Sequence, residues 1–224
     1  MSRPAGRTRF DTVVFDLDGT LIDSEDLILA SFRHTMRTHL GEAPPDESWR
    51  RTIGQPLAVQ VRDFARSGAE ADAMIRTYTD HNLSEHDRLV RPFEGIREAL
   101  EELRRRGRTL AIATSKRRVA TQMGLAACGL PEDWFASIVT ADDVTRYKPD
   151  PEPVLRALSE SGEDQADRAA YVGDSVHDMR SGRAAGVCTA AVLWGPNDRA
   201  VLSPESPDLW IERPGEIPER LGAD

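Results

Sequence analysis

Short apolar runs recur along the later part of the chain, spaced so that one helix fits between each pair. TLAIAT (109–114), ASIVT (136–140), AAYVG (169–173) and TAAVLW (189–194) are nearly continuous in apolar and β-branched residues. That is how strands buried on both faces read. Helix-length segments fall between or beside them at 95–107, 117–129, 151–162 and 175–186. They end on glycine, the residue that most readily enters the left-handed stop, and the third carries proline in its first turn. TVVFD (12–16) predicts a first strand of the same kind. Strand and helix alternating through right-handed crossovers predict an α/β fold with a doubly wound parallel sheet.

Residues 24–89 break this rhythm. SEDLILASFRHTMRTHL, DESWRRTIG, PLAVQVRDFARSG and EADAMIRTYTDHNLSEHDRL all carry helical patterning, with no strand candidate among them. The chain therefore divides into an α/β core, residues 1–22 and 91–224, and an inserted all-helical cap, residues 23–90. The linkers fall near 22–24 and 90–95, where Pro92 and Gly95 bend the chain. Ser24, followed by Glu25 and Asp26, is expected to cap the first inserted helix. Asp23 and Glu25 are expected to face solvent at that helix start. In the proline-rich tail, LWI offers an edge strand and the last residues a final helical turn.

In an open parallel sheet the ligand site lies beyond the carboxyl ends of the strands, so the residues just after each apolar run carry the chemistry. Those residues are Asp16 and Asp18, Thr114 and Ser115, Lys148 in RYKPDP, and Asp174 with Asp178 in VGDSVHDM. Carboxylates crowded at one edge repel unless a divalent cation joins them, and hard oxygen ligands suit Mg2+. Lys148 and Thr114 are then expected to be free to grip an anion. A divalent cation, an ammonium and hydroxyl donors around one point describe phosphoryl transfer.

Composition narrows the class. With 224 residues, 39% hydrophobic and 30% charged, and a mean hydropathy of −0.48, the chain reads as a soluble globular protein. No run of 18 apolar residues occurs, so no membrane span is expected. The first ten residues, MSRPAGRTRF, lack the apolar stretch of an export signal, which makes the cytoplasm the expected location. A net charge of −9 argues against nucleic acid as a partner. The basic cluster EELRRRGR (101–108) reads as the solvated end of a helix. Cys128 and Cys188 sit in apolar settings and read as buried thiols.

At these residues the chain resembles the haloacid-dehalogenase-like phosphohydrolases, with four motifs in order: DLDGTL, the LAIAT that ends on Thr114, Lys148 in KPDP, and GDSVHD. Within that family it is most similar to phosphoglycolate phosphatase-like members with a small helical cap, through DGTLIDSEDL, IGQP, HDRLVRPFEG, ATSK and VLWG. The resemblance implies Mg2+-dependent hydrolysis of a small phosphate monoester: phosphoglycolate, a sugar or nucleoside phosphate, or a phosphorylated biosynthetic intermediate. Asp16 would be the nucleophile and form an aspartyl phosphate, and Asp18 the acid and then the base. Asp16, Asp174 and the Asp18 carbonyl would hold the metal, with Asp178 behind them orienting Lys148 or a metal-bound water. Asp18, Gly19, Thr114, Ser115 and Lys148 would surround the phosphoryl group. Gln55, Pro56, Arg88, Lys116, Arg117 and Tyr147 would line the substrate space. The enzyme would work as a monomer or homodimer.

Two other readings use similar residues. A sugar phosphomutase shares the chemistry, but its usual histidine and arginine positions hold Ile28 and Gln55 here. A non-catalytic phosphoryl-sensing module places its acceptor on a later strand, whereas Asp16 ends the first. His81, His86 and His177 lack zinc-site spacing and are expected at the surface or the cap interface, and Trp49, Trp134, Trp194 and Trp210 are expected to pack.

Overall fold

The structure, a computed structural model, describes residues 10–50 and 52–222, so expectations for residues 1–9 and 223–224 lie outside it. The elements in chain order begin with β1 (Thr12–Phe15), β2 (Ile22–Asp23) and α1 (Glu25–Leu40). The helices α2 (Glu47–Arg50), α3 (Leu57–Gln60) and α4 (Gly68–Leu89) follow, then β3 (Arg91–Pro92), α5 (Ile96–Arg105) and β4 (Thr109–Ala113). Next come α6 (Arg118–Ala127), β5 (Ser137–Val139), α7 (Glu152–Glu160), β6 (Ala169–Gly173) and α8 (Val176–Ala185). The chain closes with β7 (Cys188–Val192), α9 (Arg199–Leu202), β8 (Leu209–Ile211) and α10 (Ile217–Leu221).

Six strands form one parallel sheet in the order β5-β4-β1-β6-β7-β8. β1 is central, and the order runs outward from it in both directions, so the topological switch falls at its carboxyl end. Period-two alternation puts successive side chains on opposite faces. Val13 and Phe15 join a core with Leu100, Leu103 and Ile217, while Val14 joins Val154, Leu158 and Tyr171 on the other face. Helices cover both faces, as the near-continuous apolar runs require.

Between residues 25 and 89 every regular element of the described chain is a helix. Its own core is built from Phe32, Met36, Trp49, Val61, Met74 and Tyr78, with Trp49 stacked on Phe32 at 4.6 Å between ring centroids. The crossings into and out of this segment pair with each other, Ile22 opposite Pro92 and Asp23 opposite Arg91, in a two-stranded antiparallel ribbon that the apolar pattern did not foretell.

Some expectations are corrected. Ser24 does not cap α1: its side chain makes no capping hydrogen bond and turns instead to Asp18. The basic stretch 101–108 is only partly solvated, since Arg106 donates to the Pro218 carbonyl at 2.8 Å and buried Arg108 reaches that of Gly222 at 3.3 Å. Both cysteines are buried thiols. No helix among the described residues is long and apolar enough to cross a membrane.

Candidate active site

The loop after β1 curls back on itself, so that residues close in sequence become close in space. Asp16 N extends the ladder to the Val172 carbonyl at 2.9 Å, and Gly19 N then donates to the Ile22 carbonyl at 2.9 Å. Gly19 takes a left-handed φ of 78°, and a Cβ there would stand 2.7 Å from the Asp174 carboxylate. A Cβ on Gly195, in the loop after β7, would stand 2.6 Å from both the Asp174 Cβ and the Gly19 carbonyl. Bare backbone is what lets the first and last of these strand ends close around Asp174.

Asp16, Asp174 and Asp178 are buried and offer carboxylate oxygens within 4.8 Å of one another. Lys148 sits among them, its Nζ 2.9 Å from Asp16 Oδ1 and 2.6 Å from Asp178 Oδ1. This corrects the expectation that Lys148 is free for an anion, because three carboxylates in a dry setting draw the nearest ammonium to themselves. Asp178 has further partners: the Tyr171 hydroxyl lies 2.9 Å from Oδ1, and Ser175 donates to Oδ2 from its Oγ at 2.6 Å and its backbone N at 3.0 Å. Asp174 Oδ1 accepts from Thr20 Oγ1 at 3.1 Å, while its buried Oδ2 has no hydrogen-bond partner.

Burial pushes the Asp16 carboxyl up to about 7 from its ordinary 3.8; Lys148 pulls against this and Asp178 adds to it. Burial, then repulsion from Asp178 and Asp16, raises Asp174 well above the usual carboxylate range. Burial alone would raise Asp178 as well, but Lys148 and the hydrogen bonds from Ser175 together hold the group low. Burial would lower Lys148, yet the facing carboxylates of Asp16 and Asp178 keep the ammonium above its ordinary value. Two oxygen ligands lacking sufficient positive charge, one with an orphaned lone pair, fit a hard divalent cation. Asp178 has its hydrogen-bonding positions filled from within the protein, so Asp16 and Asp174 are the carboxylates left to such an ion.

Asp18 lies at the edge of this cluster. Lys116 Nζ approaches its Oδ1 to 2.8 Å and Oδ2 to 3.1 Å, and Ser24 Oγ donates to Oδ1 at 2.6 Å. Thr114 is buried at the end of β4, where its Oγ1 accepts from Lys116 N at 3.2 Å. Ser115 lines the same cavity, and its hydroxyl donates to the Gly54 carbonyl of the helical segment at 2.7 Å. Gln55 Nε2 stands 3.2 Å from His177 Nε2, a second tie across the same boundary.

These groups border a cavity of about 350 Å³ between the sheet edge and the helical segment. Asp16, Asp18, Thr114, Ser115, Lys116 and Asp174 line its core side, with Arg117 and Tyr147 toward the outside. Gln55 and Pro56 line it from the helical side. Arg88 does not: it pairs with Glu85 on the surface. Arg117 is paired with Asp142 at 2.8 Å. His86, in the last turn of α4, is buried, His81 stacks on His34 at 4.4 Å, and Trp194 donates to the Thr20 carbonyl at 2.9 Å beside the site.

Tyr171, Thr20 and Ser24 escaped the sequence reading. A hydroxyl-bearing aromatic in a run of small aliphatics, AAYVG, is a usable signal for the first. Nothing marks Ser24, because a serine before two acids reads equally well as a cap.

Residues 13–192 match the family described as haloacid dehalogenase-like hydrolase. The chain is 40% identical over 210 residues to the pyrophosphatase PpaX of Bacillus velezensis, covering 93% of this chain and 95% of that one. It is also 40% identical over 201 residues to PpaX of Oceanobacillus iheyensis, covering 90% and 92%. Among solved structures, a haloacid dehalogenase-like family hydrolase from Streptococcus pneumoniae superposes with a TM-score of 0.80 at 26% identity, covering 93% of this chain and 96% of that one. The family match runs from the first strand through the last of the fully buried strands, and the chain belongs to the haloacid dehalogenase-like hydrolases.

Proposed function

We propose that the chain is a Mg2+-dependent phosphatase that cleaves a small phosphorylated metabolite through an aspartyl phosphate on Asp16. The observation that carries this reading is the pairing at the end of β1: buried Asp16 with Lys148 at 2.9 Å, and two residues on Asp18, held by Lys116 and open to the same cavity.

Bound by Asp16, Asp174 and the Asp18 carbonyl, Mg2+ would offset the negative charge of nucleophile and phosphoryl group and polarise the phosphorus for attack. The Asp16 carboxylate then attacks phosphorus, the bond to the leaving oxygen breaks, and Asp18 supplies the proton that oxygen needs. In the second half Asp18 takes a proton from water, whose oxygen attacks phosphorus and releases phosphate from Asp16. Lys148 favours the ionised form of Asp16 and places it, while Tyr171 and Ser175 hold Asp178 so that it can hold Lys148. Thr114 closes the floor on which the phosphoryl oxygens rest.

Relatives named pyrophosphatase make a phosphoanhydride the second substrate class to assay beside monoesters. Phosphate release is measured with Mg2+ on a panel of monoesters and on pyrophosphate, for the native chain and Asp16→Asn. Turnover by the native chain and none by the variant supports the reading. No release from any compound, isomerisation of a sugar phosphate without release, or turnover surviving Asp16→Asn overturns it.

A further inference from the structure

The cavity has two chemically different halves. Toward the sheet edge it is carboxylate, hydroxyl and ammonium. Toward the helical segment it is walled by Ile28, Ile53, Leu57, Ile75, Tyr78 and Leu83. Ile75, Tyr78, Thr79 and Asn82 fall at the i, i+3, i+4, i+7 spacing of a single stripe along α4, so one face of that helix is presented to the ligand.

Two amides on this wall are already engaged. Asn82 Nδ2 donates to Ser31 Oγ at 3.3 Å, and Gln60 Nε2 donates to the Gln55 carbonyl at 2.5 Å. Among the described residues, no charged side chain of the helical segment borders the cavity. The cations that do border it, Lys116 and Arg117, belong to the core side and are paired with Asp18 and Asp142.

Resting on the phosphatase reading, we infer that the group released from phosphate is a compact, uncharged and largely apolar alcohol that packs against the α4 stripe and residues 53–57. A carboxylate or a second phosphate placed there would lose its water against isoleucine and leucine and find no counter-ion. An apolar group instead gains by leaving water. At about 350 Å³ the cavity lies near the lower end of the roughly 300–1,000 Å³ usual for small-molecule sites, which sets the size as compact. Glycolate and the second phosphate of pyrophosphate are both too charged for this wall.

Binding tests this apart from catalysis. Isohexylphosphonate and phosphonobutyrate have the same skeleton, ending in an isopropyl group or a carboxylate, and neither can be hydrolysed. Titrated calorimetrically into the native chain with Mg2+, isohexylphosphonate is expected to bind at least about 10-fold more tightly. Equal affinity, tighter binding of phosphonobutyrate, or binding of neither overturns the inference. Leu83→Lys and, separately, Ile75→Lys add a cation to the wall at half-buried positions and are expected to reverse the preference. Folded variants that leave the affinity ratio unchanged also overturn it. Because the probes are inert, a clear preference in a chain that releases phosphate from no ester would sink the phosphatase reading and leave the apolar wall standing.

Discussion

Lys116 and Asp18 are joined across 98 positions of sequence: the ammonium contacts both carboxylate oxygens, at 2.8 and 3.1 Å, and the lysine side chain is 9% exposed. An ion pair this sheltered fixes a rotamer, where an exposed one would contribute little. Lys116 is therefore a positioning residue for the proposed acid and base. Lys116→Met is expected to lower kcat by about 10- to 100-fold, inside the range that proton transfer contributes, with a smaller change in KM. Steady-state kinetics with Lys116→Arg as the conservative control checks it; a rise in KM alone would make Lys116 a substrate contact instead.

Asp16→Asn is expected to abolish turnover and to leave no acid-labile phosphate on the protein after quenching. Asp18→Asn should slow turnover by two decades or more, about 2.7 kcal/mol of transition-state stabilisation. Rapid-quench mass spectrometry separates the two, since Asp18→Asn should still form some phosphorylated enzyme from a substrate with a good leaving group.

Lys148 neutralises two buried carboxylates at once. Lys148→Met leaves them facing each other without a cation, a loss expected to cost about 3–5 kcal/mol of folding stability. Urea denaturation of the Mg2+-free protein measures it.

Crowding also predicts a gain. Folded Asp16, at about 7, keeps a proton that the unfolded chain gives up near 3.8. Stability of the Mg2+-free protein should fall as pH rises from about 4 to 7, and the full penalty is present above 7. Asp174→Asn removes one of the opposing charges while keeping an oxygen for Thr20, so its Tm without Mg2+ at pH 8 is expected to rise by roughly 3–8 °C. The Tm increase on adding Mg2+ should shrink in the same variant. A thermal melt series across pH, with and without Mg2+, reads both effects.

Ser115 and the Gly54 carbonyl form one of the ties between sheet edge and helical segment. Ser115→Ala removes a hydrogen bond of roughly 0.5–1.5 kcal/mol. KM is expected to rise by about 3- to 10-fold, with kcat within a factor of two.

What could be read from sequence follows from where the physics is local. Strands buried on both faces are nearly all apolar, so β1, β4, β5, β6 and β7 announced themselves, and the residues after them had to meet at the sheet edge. What Lys148 does was not local: its partners lie just after β1 and on α8, and only the folded distances decide between an anion and a carboxylate. Ser24 obeys two rules at once, and the competition between capping α1 and holding Asp18 is settled by tertiary geometry. The β2–β3 ribbon has two residues per strand, too few to carry any period.

That ribbon has a mechanical consequence. A segment tethered by two independent strings could swivel about any axis; here the strings are cross-linked, Ile22 to Pro92 and Asp23 to Arg91, which leaves fewer axes about which the segment could turn. Asp18 forms a bridge with Ile22, inside the ribbon itself, and is bonded to Ser24 at its far end. Any turn of the helical segment at this ribbon would therefore carry the proposed acid and base with it.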